Sequence, residues 1–121
     1  DGRSGSAGES VSRVAMLELG FPIPQLQIEF RDARGFIGTV DFWWPGQNVI
    51  GEFDGGAKYV REEYTHGKSA AEVVIDEKNR ENRLRAAGEG HGMTRWDWSI
   101  AMSPSLLFER LTDAGLRSTR R

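Results

Sequence analysis

The order of hydrophobic periods along the chain predicts an α/β domain, an α/β/α sandwich on a four-stranded mixed sheet. Three observations carry this. Apolar residues recur at helical spacing over 9–19 and 69–87, and again after Ser103-Pro104. They follow strand patterning over 26–30, 37–44, 49–54 and 92–98. The resulting order is α, β, β, β, α, β, α, and its last βαβ passage requires a crossover, which places helices on both faces.

Each element has a local reason. In the first helix Val11, Val14, Ala15 and Leu19 form one stripe, and Gly20 suits its C-terminal stop. Phe21-Pro22-Ile23-Pro24 cannot continue it. Leu26, Ile28 and Phe30 alternate with polar residues, as in a half-buried strand, and 31–35 reads as a turn. Pro45-Gly46-Gln47-Asn48 separates the next two strands. Residues 55–68 are a charged, glycine-rich loop, and Gly88 and Gly90 close the long helix. Ser103 is an N-cap with proline at the first helical position, and that helix runs to about Ala114.

The 121 residues suffice for one domain. Residues 1–8 are small and polar and read as a flexible linker, 9–116 as the domain, and 117–121, with three arginines, as a basic tail or rim. The start, Asp1-Gly2-Arg3, has neither an initiator Met nor a signal-peptide pattern, so the chain reads as a piece of a longer protein. No apolar run approaches the ~18 residues of a membrane span. The absence of cysteine removes disulfides, a thiolate zinc site and a cysteine nucleophile, and fits a cytoplasmic location. The net charge of −2 counts mildly against nucleic-acid binding, but is compatible with carboxylates gathered in one site and basic residues around it.

The hairpin 37–54 carries the candidate chemistry. A four-residue loop at 45–48 pairs Trp44 with Val49, Trp43 with Ile50, Phe42 with Gly51 and Asp41 with Glu52. Alternation puts Asp54 on the face of Glu52. Three like charges then converge, and a divalent cation such as Mg²⁺ compensates them naturally. Water or arginine partners are the ordinary alternative. In the long helix Glu77 and Glu81 fall mid-stripe, with Lys78 and Arg80 at its edges; either they look into the site or this half of the helix overhangs the sheet. Glu18 falls within the first helix's stripe. Glu9, at that helix's start, reads by spacing alone as a partner of the helix dipole. Lys58, four residues past Asp54, is a loop lysine that could reach the carboxylates or stay solvated. His66 and His91 lack metal-ligand spacing. The four tryptophans read as sheet packing rather than base-stacking residues.

The succession Glu9-Ser10, Thr39-Val40-Asp41-Phe42, Gly51-Glu52-Phe53-Asp54-Gly55, Lys58-Tyr59, Glu77-Lys78-Asn79-Arg80-Glu81 with Leu84, and Thr94-Arg95-Trp96 resembles uncharacterised actinobacterial relatives of the very-short-patch-repair endonuclease, within the PD-(D/E)XK nuclease superfamily. The resemblance covers about residues 9–100. It implies a restriction-endonuclease-like fold and a Mg²⁺- or Mn²⁺-dependent endonuclease (a deoxyribonuclease) acting on DNA. Asp41 and Glu52 would hold the cation, and Glu9 would complete the site, against the spacing-based reading. The superfamily's usual Glu-x-Lys reads Glu52-Phe53-Asp54 here, so Lys58 or Lys78 would have to supply the lysine. If neither reaches the site, the domain is a nucleic-acid- or protein-binding module of a regulatory or toxin–antitoxin protein. An arginine salt bridge filling the site favours that module; a lysine beside Asp41 and Glu52 favours the enzyme. The resemblance also implies an N-terminal winged-helix domain of the abortive-infection antitoxin type. Many relatives in the superfamily act as homodimers, although the sequence exposes no dimer face.

Overall fold

Prolines 22 and 24 prevent the first helix from continuing, and in the computed structural model the chain turns there from helix to sheet. The structure describes residues 2–55, 67–87 and 92–119, with side chains from residue 7 onward. The elements are α1 (Gly2–Glu18), β1 (Gln25–Asp32), β2 (Gly35–Trp44), β3 (Val49–Phe53), α2 (Ala70–Ala86), β4 (Gly92–Trp96), α3 (Trp98–Ala101) and α4 (Pro104–Asp113). One sheet has the order β1-β2-β3-β4, antiparallel as far as β3 and parallel between β3 and β4. The chain is therefore an α/β domain with a four-stranded mixed sheet, as the periodicities predict.

The turn at 45–48 sets the register. Asn48 adopts φ 60°, a left-handed conformation that asparagine tolerates. Trp44 then pairs with Val49, Trp43 with Ile50 and Phe42 with Gly51. Alternation along β3 sends Val49 and Phe53 to one side and Ile50 to the other, which builds two cores. In the smaller, Leu84 of α2 packs with Val40, Ile50 and Met93. In the larger, Met16 of α1, Ala101 of α3, and Leu107 and Leu111 of α4 pack with Phe42, Trp44, Val49, Phe53 and Trp96. Trp44 and Trp96 are buried sheet residues whose indole N–H groups donate to Pro22 O and Ser12 Oγ, both at 2.9 Å. Gly51 lets their rings close over β3, because a Cβ there would lie 2.9 Å from Trp44 and 3.1 Å from Trp96.

Three boundaries differ from the sequence reading. Helix α1 takes in residues 2–8, which composition assigns to a linker. Gly8 lies against the Phe53 ring, where a Cβ would overlap the ring atoms, so this segment gains a tertiary contact. Strand β4 stops at Trp96, because the Asp97 side chain accepts from Ile100 N–H at 3.2 Å and caps the short α3. The segment read as a basic tail is tied down at Thr119, whose N–H donates to Gly20 O at 2.9 Å. In α2, Ser69 and Glu72 form a reciprocal capping box. The first turns of α2 are exposed, with Val74 and Ile75 open to solvent, whereas in the stretch 77–81 Glu77 and Arg80 turn in to the sheet and Lys78 stays exposed. No helix among the described residues is long and apolar enough to cross a membrane.

Candidate functional site

Asp41 lies where the β2–β3 ladder ends. The last paired residues are Phe42 and Gly51, and the expected Asp41–Glu52 pair does not continue the ladder. Instead the Asp41 carboxylate takes the place of a strand carbonyl: Oδ2 accepts from Phe53 N–H at 2.9 Å. Its other oxygen, Oδ1, accepts from Gln27 Nε2 at 3.2 Å, and the same nitrogen donates to Glu9 Oε1 at 3.0 Å. Three elements thus bring Glu9, Gln27 and Asp41 together at the end of β3. Glu9 reaches this place because α1 approaches closely through Gly8 on Phe53 and Ser12 under Trp96. Since α1 begins at Gly2, Glu9 sits inside the helix rather than at its start, and the dipole reading of Glu9 is superseded.

Glu52 goes elsewhere. It is buried, at 8% exposure, and faces the α2 side of the sheet. Arg80 grips it with two nitrogens, at 3.1 Å to Oε1 and 2.8 Å to Oε2. Arg95, directly opposite on β4, adds a bond of 2.8 Å to Oε1. Both arginines also hold Glu77 Oε1, at 3.2 and 3.1 Å. Burial raises the Glu52 carboxyl's pKa, and the bonds and charges of Arg80 and Arg95 more than reverse this, leaving it below the ordinary range. Gly38 makes room for the network, since a Cβ there would come within 2.8 Å of the Arg80 guanidinium. Two carboxylates and two guanidiniums in bidentate or shared geometry form a compensated cluster that pins α2 to the sheet.

The expected convergence of Asp41, Glu52 and Asp54 is therefore corrected: Asp41 and Glu52 serve different partners. Among the described residues, no three histidines or carboxylates lie together so as to hold a metal ion. Asp54 follows β3, half-buried, and its N–H donates to Trp96 O at 2.7 Å. Lys78 is exposed on α2, where its charge acts on Glu81. Glu81 is paired with Arg85 at 2.9 Å, which holds its carboxyl below the usual range. Glu18 is exposed. Lys58, His66 and His91 lie outside the described residues. Sequence reasoning missed Gln27 and did not single out Arg95 of the clamp on Glu52, while arginine pairing of the acids and an inward Arg80 were among its open alternatives. A signal for the clamp was present, because β3 and β4 each place one charge at the same level of an otherwise apolar pair of strands.

The donor chemistry decides which residues fit a cation. Carboxylate oxygens suit a hard divalent ion such as Mg²⁺. Asp41 and Glu9 meet this, since both offer an oxygen to one small polar group. Glu52 does not, because its two oxygens are taken by arginines.

Over 99 residues the chain is 31% identical to an uncharacterised protein of Mycobacterium tuberculosis, found alike in strains CDC 1551 / Oshkosh and H37Rv. The match covers 72% of this chain and 36% of the relative, so the chain spans about a third of the length of the curated relatives it matches. No family model matches the sequence, and no solved structure matches significantly.

Proposed function

We propose that this is a restriction-endonuclease-like domain that hydrolyses DNA phosphodiesters with a divalent cation, at the end of β3 where Glu9 and Asp41 meet. The observation that carries the reading is the convergence of those two carboxylates, from α1 and β2, on Gln27 Nε2. Asp41, with Glu9 beside it, would hold Mg²⁺ or Mn²⁺. A bound cation of this kind polarises the phosphate and lowers the pKa of a water. The chain's own contribution is placement. Phe53 N–H fixes one Asp41 oxygen, and Gln27 orients the other towards Glu9. Glu52 acts one step back, holding α2, Arg80 and Arg95 in place. Lys58 and Lys78 remain candidates for water activation and for offsetting phosphate charge, and Asp54 for a further carboxylate of the site. Cytoplasmic location, homodimerisation and a winged-helix partner domain belong to the same proposal.

The test is nicking of supercoiled plasmid with Mg²⁺ or Mn²⁺ by the wild type, Asp41→Ala and Glu9→Ala. The expected result is activity in the wild type, lost in both variants. Equal residual activity in all three would assign it to a contaminant and end the proposal.

The second reading is a nucleic-acid- or protein-binding module on the same scaffold. The arginine salt bridge on Glu52 favours it, because that bridge occupies a carboxylate the nuclease motif assigns to the cation. Plasmid that is bound but not cut, with Asp41→Ala binding as well as wild type, would establish the module.

A further inference from the structure

Gln27 sits in the middle of β1 with φ 52°, a left-handed backbone where glutamine is rare. Its neighbours keep regular pairing, Leu26 with Phe42 and Ile28 with Val40, so the deviation is confined to the residue facing Asp41. Backbone strain of this kind persists where the surroundings over-determine it. The surroundings here are two carboxylates. An amide NH₂ has two hydrogens and no charge, and each hydrogen meets one carboxylate oxygen, at 3.0 Å for Glu9 and 3.2 Å for Asp41. The orientation of the amide is set by chemistry, since its oxygen would be repelled by both partners. Gln27 is also solvent-exposed, so these bonds can be exchanged.

From this we infer that Gln27 is the positioning residue of the proposed cation site. Its amide holds the Glu9 and Asp41 carboxylates side by side, and these two residues would hold the divalent cation. The inference rests on the proposed function. It identifies which side chain pre-sets the spacing of the two carboxylates.

Two substitutions separate this role from a merely structural one. Gln27→Gly removes the amide at a backbone conformation where glycine is at home. The expected result is a Tm no lower than wild type with Mn²⁺ affinity weakened at least about tenfold, the size seen when groups that orient metal ligands are removed. A residue that only supports the fold would instead lower Tm and affinity together. Gln27→Lys places a fixed cation between the carboxylates. The expected result is a Tm in metal-free buffer at or above wild type, with Mn²⁺ binding abolished.

The measurement is Mn²⁺ titration followed by electron paramagnetic resonance and by metal-dependent Tm shift, on wild type, Asp41→Ala and both Gln27 variants. If Asp41→Ala abolishes Mn²⁺ binding while both Gln27 variants bind as wild type does, the role of Gln27 is overturned and the cation site stands. If wild type binds no Mn²⁺ that Asp41→Ala removes, the site and the inference fall together.

Discussion

Two carboxylate centres lie on the two strands of one hairpin, and they are held in opposite ways. Glu52 is buried, gripped by two guanidiniums and shared with Glu77. Asp41 is half-buried, held by a backbone N–H and a neutral amide that it shares with Glu9. The first arrangement compensates charge and fixes a helix. The second brings two carboxylates onto one neutral amide. The contrast teaches that a motif written as one acidic unit can divide, with one carboxylate tied into ion pairs and the other held by neutral donors.

The comparison breaks most visibly at Glu52. Glu52→Ala takes from two partly buried guanidiniums the carboxylate that both grip, and its expected loss is about 3 kcal/mol, the lower end for a broken buried pair because both arginines keep Glu77 and some water contact. Asp41→Asn, which retains the acceptor for Phe53 N–H, is expected to lose less than about 1 kcal/mol. Urea denaturation of both variants checks this, and equal losses would erase the distinction. Next is Gly8→Val, which forces a side chain into the Phe53 ring and pushes α1 off β3. Overpacking of this sort costs about 2 kcal/mol, and it should also carry Glu9 away from Gln27, read as weakened Mn²⁺ binding in a variant still folded by circular dichroism. Trp96→Phe removes the indole bond to Ser12 that fastens α1 to β4, and is expected to cost about 1 kcal/mol in thermal or urea melts.

The smallest effect is acid sensitivity. The Arg83 side chain, hydrogen-bonded to Asp32, holds that carboxyl at about 2 against an ordinary 3.8. A carboxylate depressed in the folded state stabilises it fully above the unfolded value and loses that stabilisation as pH falls towards the folded one. Wild type and Asp32→Asn should therefore differ in Tm at pH 5 and converge as pH falls from 3.8 to about 2. Glu52 titrates in the same sense, depressed from 4.5, so the wild type should lose stability steadily below that pH.

Much of the framework was legible because local chemistry dictates it. Pro45 to Asn48 sets the hairpin and three of its pairs, Ser103-Pro104 starts α4, and Ser69 caps α2. Legibility stopped where side chains override the ladder. Pairing arithmetic carried Asp41 on to Glu52, but a carboxylate can accept a strand N–H as well as a carbonyl can, and that exchange ended the pairing. Gln27 was invisible because its role depends on a left-handed backbone within an ordinary alternating strand. The helical state of residues 2–8 was hidden because Gly8 counts against a helix by propensity and for it only once Phe53 lies opposite.

The bonds that fasten α1 have a kinetic consequence. Trp96 meets Ser12 across 84 positions of sequence, and Ser118 and Thr119 meet Leu19 and Gly20 across 99. Such distant closures carry the largest loop entropy in the chain and, with the parallel β3–β4 pair, slow its folding. The hairpin closes on near neighbours in sequence, whereas α1 is fastened both by nearby bonds such as Glu9 to Gln27 and by bonds to the far end of the described chain. The acidic pair of Glu9 and Asp41 therefore sits where the two ends of the described chain are tied together.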